Sequence, residues 1–133
     1  MTLVVDTSAV IAIILDEPQA PAIAERLADA RRPITSAVSI VEATIVAEAR
    51  LGPAGTTLVQ RVVREAGIET IDVTADTALD ALDGWRTYGK GRHRAGLNLG
   101  DCFTYALSKD TGAAVLCVGD DFTHTDLDVE PLG

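Results

Sequence analysis

The sequence predicts an α/β fold, a three-layer α/β/α arrangement with helices on both sides of a central, mainly parallel sheet. Short apolar runs recur along the chain, at Leu3-Val4-Val5, Ile34-Thr35, Ile68 to Val73 and Ala114 to Val118. Between them lie longer segments with apolar residues at helical spacing. Strands that alternate with helices are joined by crossovers, which set neighbouring strands parallel. The 133 residues, 47% hydrophobic, suffice for one domain over residues 1–133, with no repeat or linker dividing them.

Taken in order, Leu3 to Val5 reads as a buried strand, and a helix capped by Thr7 or Ser8 runs to Leu15 before Asp16-Glu17-Pro18 stops it. A second helix follows Pro21, with Ile23, Leu27 and Ala30 along one side and Arg31-Arg32-Pro33 closing it. After the brief strand Ile34-Thr35, Ser36 caps a long helix that Gly52-Pro53 ends. Leu58, Val59, Val62 and Val63 mark a helix over 54–66, and Gly67 precedes the alternating strand Ile68 to Val73. Ala78, Leu79, Leu82 and Trp85 give the next helix an apolar stripe, which places Trp85 in the core. Asn98 caps a helix through about Lys109, Gly112 ends it, and Ala114 to Val118 is the last strand.

A net charge of −9 excludes a protein that coats nucleic acid through a broad basic face. The charge is uneven, however: Arg86, Lys90, Arg92 and Arg94 lie in one stretch without an acid, Arg86-Thr87-Tyr88-Gly89-Lys90-Gly91-Arg92-His93-Arg94. These four are candidate phosphate contacts, Tyr88 a candidate base platform, and the glycines would let the loop adapt. The plainer reading is a flexible, solvated loop. No apolar run approaches the roughly 20 residues of a membrane span, and the start lacks a basic leader, so the expectation is a cytoplasmic protein without a membrane partner. Cys102 and Cys117 lack metal-ligand spacing and read as reduced, buried thiols.

Four acids organise the chemistry. Asp6 follows the first strand and Asp121 the last, and open parallel sheets place their sites at the carboxyl ends of strands. Glu42 has Val38, Ile45 and Val46 as helical neighbours, an apolar setting in which a carboxylate needs a partner. Asp101 falls in the first turn after Asn98, where a helix start also favours an acid for purely structural reasons. Asp6 and the Asp120-Asp121 pair have ordinary turn readings as well. If the four converge, their repulsion raises pKa values and destabilises the fold unless a cation intervenes. An all-oxygen site selects a hard ion, Mg2+ or Mn2+, and such a site supports metal-assisted phosphodiester hydrolysis.

Val5-Asp6-Thr7-Ser8-Ala9-Val10, Ser39-Ile40-Val41-Glu42, Leu99-Gly100-Asp101-Cys102-Phe103 and Gly119-Asp120-Asp121-Phe122 resemble, in order and spacing, the acidic motifs of PIN-domain ribonucleases, specifically VapC toxins of type II toxin–antitoxin systems. The resemblance spans nearly the whole chain. It implies a Mg2+-dependent endoribonuclease acting on tRNA or rRNA, leaving a 3'-hydroxyl and a 5'-phosphate. It also implies a cognate VapB-type antitoxin, commonly received by the first two helices (Val10, Ile11, Ile13, Ile14, Ile23, Leu27), and a homodimer. By motif position Asp6 and Asp101 would be the principal metal ligands, Glu42 would ligate or orient water, and Asp121, with Asp120 in reserve, would complete the pocket. Thr7 or Ser8 would hydrogen-bond this shell. The stretch from Tyr88 to Leu97, absent from many PIN domains, looks like that of one VapC subgroup.

The competing reading is a PIN fold used for binding only, in an RNA or protein assembly. A receiver domain would need a phosphoacceptor Asp after a central strand and a late strand-end Lys, but Lys109 is helical. A haloacid-dehalogenase-like phosphatase would need a second Asp where Ser8 stands. His93 and His124 stay outside the catalytic set.

Overall fold

The computed structural model describes residues Met1–Gly133. Four parallel strands, β1 (Thr2–Val5), β2 (Arg32–Ser36), β3 (Glu69–Ile71) and β4 (Ala114–Leu116), form one sheet in the order β3-β2-β1-β4. Helices α1 (Thr7–Ile14), α2 (Ala20–Asp29), α3 (Ala37–Leu51), α4 (Ala54–Glu65), α5 (Ala75–Tyr88) and α6 (Leu99–Thr111) supply the crossovers, and a 3-10 turn spans Asp121–His124.

The period of two along each strand divides the interior. Leu3 and Val5 of β1 and Leu116 of β4 pack with α1 to α4, whereas Val4, Ile34 and Val115 pack with α5 and α6. Burying both faces explains why β1 and β4 are nearly apolar throughout rather than alternating. The free edge of β4 is covered by the C-terminal segment, where Val115 N donates to Asp128 O and Glu130 N donates to Val115 O.

Several boundaries differ from expectation. β2 starts two residues early, at Arg32; its ladder to β3 begins only at Ile34, so Pro33, which lacks an N–H, leaves no bond unmade on that side. β3 covers Glu69–Ile71 and β4 Ala114–Leu116, both shorter than their apolar runs. The cap of α1 is Asp6, whose Oδ2 accepts from Ser8 N at 3.1 Å, rather than Thr7 or Ser8. Ser36 caps α3, and Gly112, at φ 72°, ends α6 as the sequence predicts.

The stripe on α5 is also corrected. Ala81 and Gly84 are buried there, while Leu79, Leu82 and Trp85 are exposed, Trp85 by 41%. α5 lies so close to α6 that a Cβ on Gly84 would stand 2.7 Å from Cδ1 of Tyr105, so only its smallest residues fit inward. No helix is long and apolar enough to cross a membrane. Cys102 and Cys117 are free and buried.

Candidate active site

The carboxyl ends of β1 and β4 and the amino ends of α1 and α6 meet on one side of the sheet. Asp6, 4% exposed, is the most enclosed acid there. Its Oδ2 accepts from Ser8 N and from Ser8 Oγ at 2.7 Å, and its Oδ1 accepts from Thr104 Oγ1 at 2.8 Å. Val118 N donates to Ser8 Oγ at 2.9 Å, so the backbone leaving β4 orients the hydroxyl that holds Asp6. Ser39 Oγ lies 3.4 Å from Thr104 Oγ1, which extends the buried network to α3. Three donors on one carboxylate fix its direction. Of the two hydroxyls expected to support this shell, Ser8 does so; Thr7 donates to Ser39 O.

Asp101 sits in a capping box at the start of α6: Asn98 N donates to its Oδ2 at 3.1 Å, and its own N donates to Asn98 Oδ1 at 2.8 Å. Burial, followed by the charges of Asp6, Glu42 and Asp121, pushes its pKa up to about 7, against the lowering effect of the Asn98 bond. The same influence reaches Cys117, whose pKa burial, Asp6, Asp101 and Asp121 push up to about 12. Both thiols are therefore protonated at neutral pH, since burial and then Asp101 also raise Cys102.

Glu42 is half-buried, at the edge of α3's packed face rather than on an apolar stripe: the inward positions are Ser39, Ala43 and Ala47, and Ile45 is 63% exposed. Its carboxylate reaches α6, where a Cβ on Gly100 would lie 2.5 Å from Oε1. Gly100 is thus the residue that admits Glu42 beside Asp101. Asp121 is exposed on the 3-10 turn and acts on Asp101, whereas Asp120 points to His124, 3.7 Å from Nε2.

The structure therefore places Asp6, Glu42 and Asp121 near enough to Asp101 to act on its charge. Asp6 and Asp101 are tethered by hydrogen bonds; Glu42 and Asp121 carry no side-chain hydrogen bond. No three His, Cys, Asp or Glu side chains are drawn together tightly enough to grip an ion as they stand. The all-oxygen donor set, and the burial and mutual repulsion that raise Asp101, nevertheless suit a hard divalent cation. Thr104 and Gly100 were not legible as site residues; the available signal was a small polar residue at i+3 from Asp101 on the same helix.

The basic stretch is a folded turn rather than a free loop. Lys90 N donates to Leu97 O and Leu97 N to Tyr88 O, and Ala95 and Leu97 are buried. Tyr88 is half-buried against Tyr105 and His93, with ring centroids 5.6 and 5.0 Å away, so it offers no open base platform. Arg86 pairs with Asp83 at 3.1 Å, and Arg92 donates to Arg86 O while its guanidinium lies 4.7 Å from the Trp85 ring centroid. Lys90 and Arg94 are exposed and make no ion pair.

A parallel sheet of this order with an acidic crevice at its carboxyl end defines the class as a PIN domain, and the family model described as "PIN domain" matches residues 3–127. The chain belongs to the PIN-domain family, in its VapC ribonuclease branch. It is 42% identical over 125 residues to Ribonuclease VapC30 of Mycobacterium tuberculosis, covering 94% of this chain and 95% of that protein. It is 43% identical to a Ribonuclease VapC of Mycolicibacterium smegmatis, covering 94% and 97%. Among solved structures, Mycobacterium tuberculosis VapC20, described as a sarcin-ricin loop cleaving toxin, superposes with a TM-score of 0.78 at 19% identity, covering 97% and 99%. DNA-bound VapBC of Salmonella typhimurium gives 0.74 at 19% identity, covering 100% and 99%. At those identities the likeness is one of fold.

Proposed function

We propose that this chain is the toxin of a VapBC-type pair, a divalent-metal-dependent endoribonuclease that hydrolyses phosphodiester bonds in tRNA or rRNA. The observation that carries the reading is the convergence of Asp6, Glu42 and Asp121 on Asp101, whose pKa burial first and then these charges raise to about 7, an arrangement that costs stability unless a cation binds. Asp6 and Asp101 would be the principal ligands, with Glu42 and Asp121 completing the set. Bound there, Mg2+ or Mn2+ would supply a water acidified toward neutral pH and shielding of the phosphate charge. Ser8 and Thr104 hold Asp6 in one direction, and Asn98 holds Asp101, so the site loses little freedom on loading. Glu42 and Asp121 adjust around the substrate's phosphate. Arg86, Lys90, Arg92 and Arg94 hold the RNA backbone, Lys90 and Arg94 with charges that no acid neutralises.

The groove between α1, α2 and α4, lined by Ile13, Ala24, Leu27 and Val62, would receive a VapB-type antitoxin. Exposed Val41 and Ile45, one helical turn apart on α3, would contribute to a homodimer of this single domain in the cytoplasm. The test is incubation of antitoxin-free protein with total tRNA and rRNA, with Mg2+ or EDTA, beside Asp6→Asn and Asp101→Asn, followed by sequencing of new 5' ends. Discrete cuts made only by wild type with metal are expected. Folded protein that cuts no RNA under any of these conditions would replace this reading with a binding module.

A further inference from the structure

An apolar groove of about 660 Å³ opens between α5 and the amino end of α6. Leu82, Trp85, Leu99 and Phe103 form its walls, and Lys90 and Asn98 are its polar members. It is tied to the acidic cluster through Asn98, which lines the groove and donates its backbone N–H to Asp101. Its walls are not spent on the core: Leu99 is 77% exposed and Trp85 41%. No carboxylate lines it, in a protein of net charge −9. Its one ammonium, Lys90, has no acidic partner, and Arg92 adds a second cation against the indole, 4.7 Å from its centroid. Asn98 Oδ1 is committed to Asp101 N, which leaves Nδ2 as an uncommitted donor at the groove.

A flat apolar slot with an aromatic wall, one amide donor and cations at the rim matches a nucleobase carried on a phosphate chain. We propose that the groove is a nucleobase subsite. An unpaired base of the RNA substrate lies against Trp85, its phosphate is met by Lys90, and an acceptor on its edge takes a hydrogen bond from Asn98 Nδ2. The proposal rests on the ribonuclease reading above and deepens it by naming the groove that would hold one base of the substrate, a base free to present its face to an indole.

Trp85 is the chain's single tryptophan, so its emission reports directly on the groove. Non-cleaving Asp6→Asn protein is titrated with a short unpaired oligoribonucleotide and with an abasic oligomer of equal length and charge. Emission is expected to be quenched by the base-bearing strand alone. With an end-labelled strand followed by anisotropy, Trp85→Ala is expected to weaken binding by at least about fivefold and Trp85→Phe to restore most of it. Equal quenching by the abasic strand, or equal affinity of the Ala and Phe variants and their parent, overturns the subsite. Emission that shifts with protein concentration and ignores RNA also overturns it, in favour of a second copy of the chain. Metal-dependent cleavage with KM unchanged by Trp85→Ala sinks the subsite and leaves the hydrolase standing. Base-dependent quenching without any cleavage by wild type does the reverse.

Discussion

Asp6 does two jobs with one carboxylate: Oδ2 caps α1 through Ser8, and Oδ1 accepts from Thr104 on a helix 98 residues away in sequence. The cap makes the residue locally sensible, and the long-range bond makes it rigid. Gly100 is the complementary case, a residue whose importance lies in what it lacks. Gly100→Ala would set a methyl 2.5 Å from Glu42 Oε1 and 2.6 Å from Oε2, and Glu42, the far end of a flexible chain, would swing away. Alanine also favours a helix over glycine by about 0.5–1 kcal/mol. Gly100→Ala should therefore keep or raise the melting temperature while Mg2+-dependent cleavage falls by about tenfold or more. Melting curves and cleavage rates measured on the same preparation separate these effects; full activity would remove Glu42 from the site.

Between elements, small residues decide how near the helices lie. α3 and α4 meet at Gly55, where a Cβ would stand 2.5 Å from the carbonyl carbon of Ala47, and backbone cannot step aside as a side chain can. Gly55→Ala should destabilise the protein by about 1–3 kcal/mol despite its better helix propensity, by forcing α4 off α3. Urea unfolding measures this, and a stabilised variant would contradict the close packing. The limits of α3 and α6 were legible because Ser36, Gly52-Pro53, Asn98 and Gly112 act through bonds a few residues long. The facing of α5 was not. Periodicity locates an apolar stripe, but Gly84 turns inward only because Tyr105 of α6 waits there, and that leaves Leu82 and Trp85 to the groove.

At the scale of the whole molecule, the acidic cluster ties stability to pH. Asp101 titrates at about 7 in the fold against an ordinary 3.8, so between those values the folded chain holds a proton that the unfolded chain has released. Stability should fall as pH rises through that window, and the loss should be complete above about 7. Under the proposed function Mg2+ would bind the ionised form, so it should raise the melting temperature at pH 8 and hardly at pH 5. Asp101→Asn should flatten this part of the pH profile and abolish the Mg2+ gain, while Asn keeps an oxygen for Asn98 N. Calorimetry at both pH values checks the sign; a wild-type melting temperature indifferent to Mg2+ at pH 8 would count against a cation in the crevice.

Sequence alone determined the α/β alternation, the caps of α3 and α6 and the acids at element ends, Asp6, Asp101 and Asp121, because each is expressed in residues adjacent along the chain. It also carried the family resemblance, since the acidic motifs keep their order and spacing. Tertiary structure decided the rest: Ser8 and Thr104 as the residues that hold Asp6, Gly100 as the opening for Glu42, Asp121 rather than Asp120 as the neighbour that raises Asp101, and an indole turned outward beside the acids. These depend on distances between segments far apart in sequence, and periodicity within one segment carries no information about what another segment sets against it.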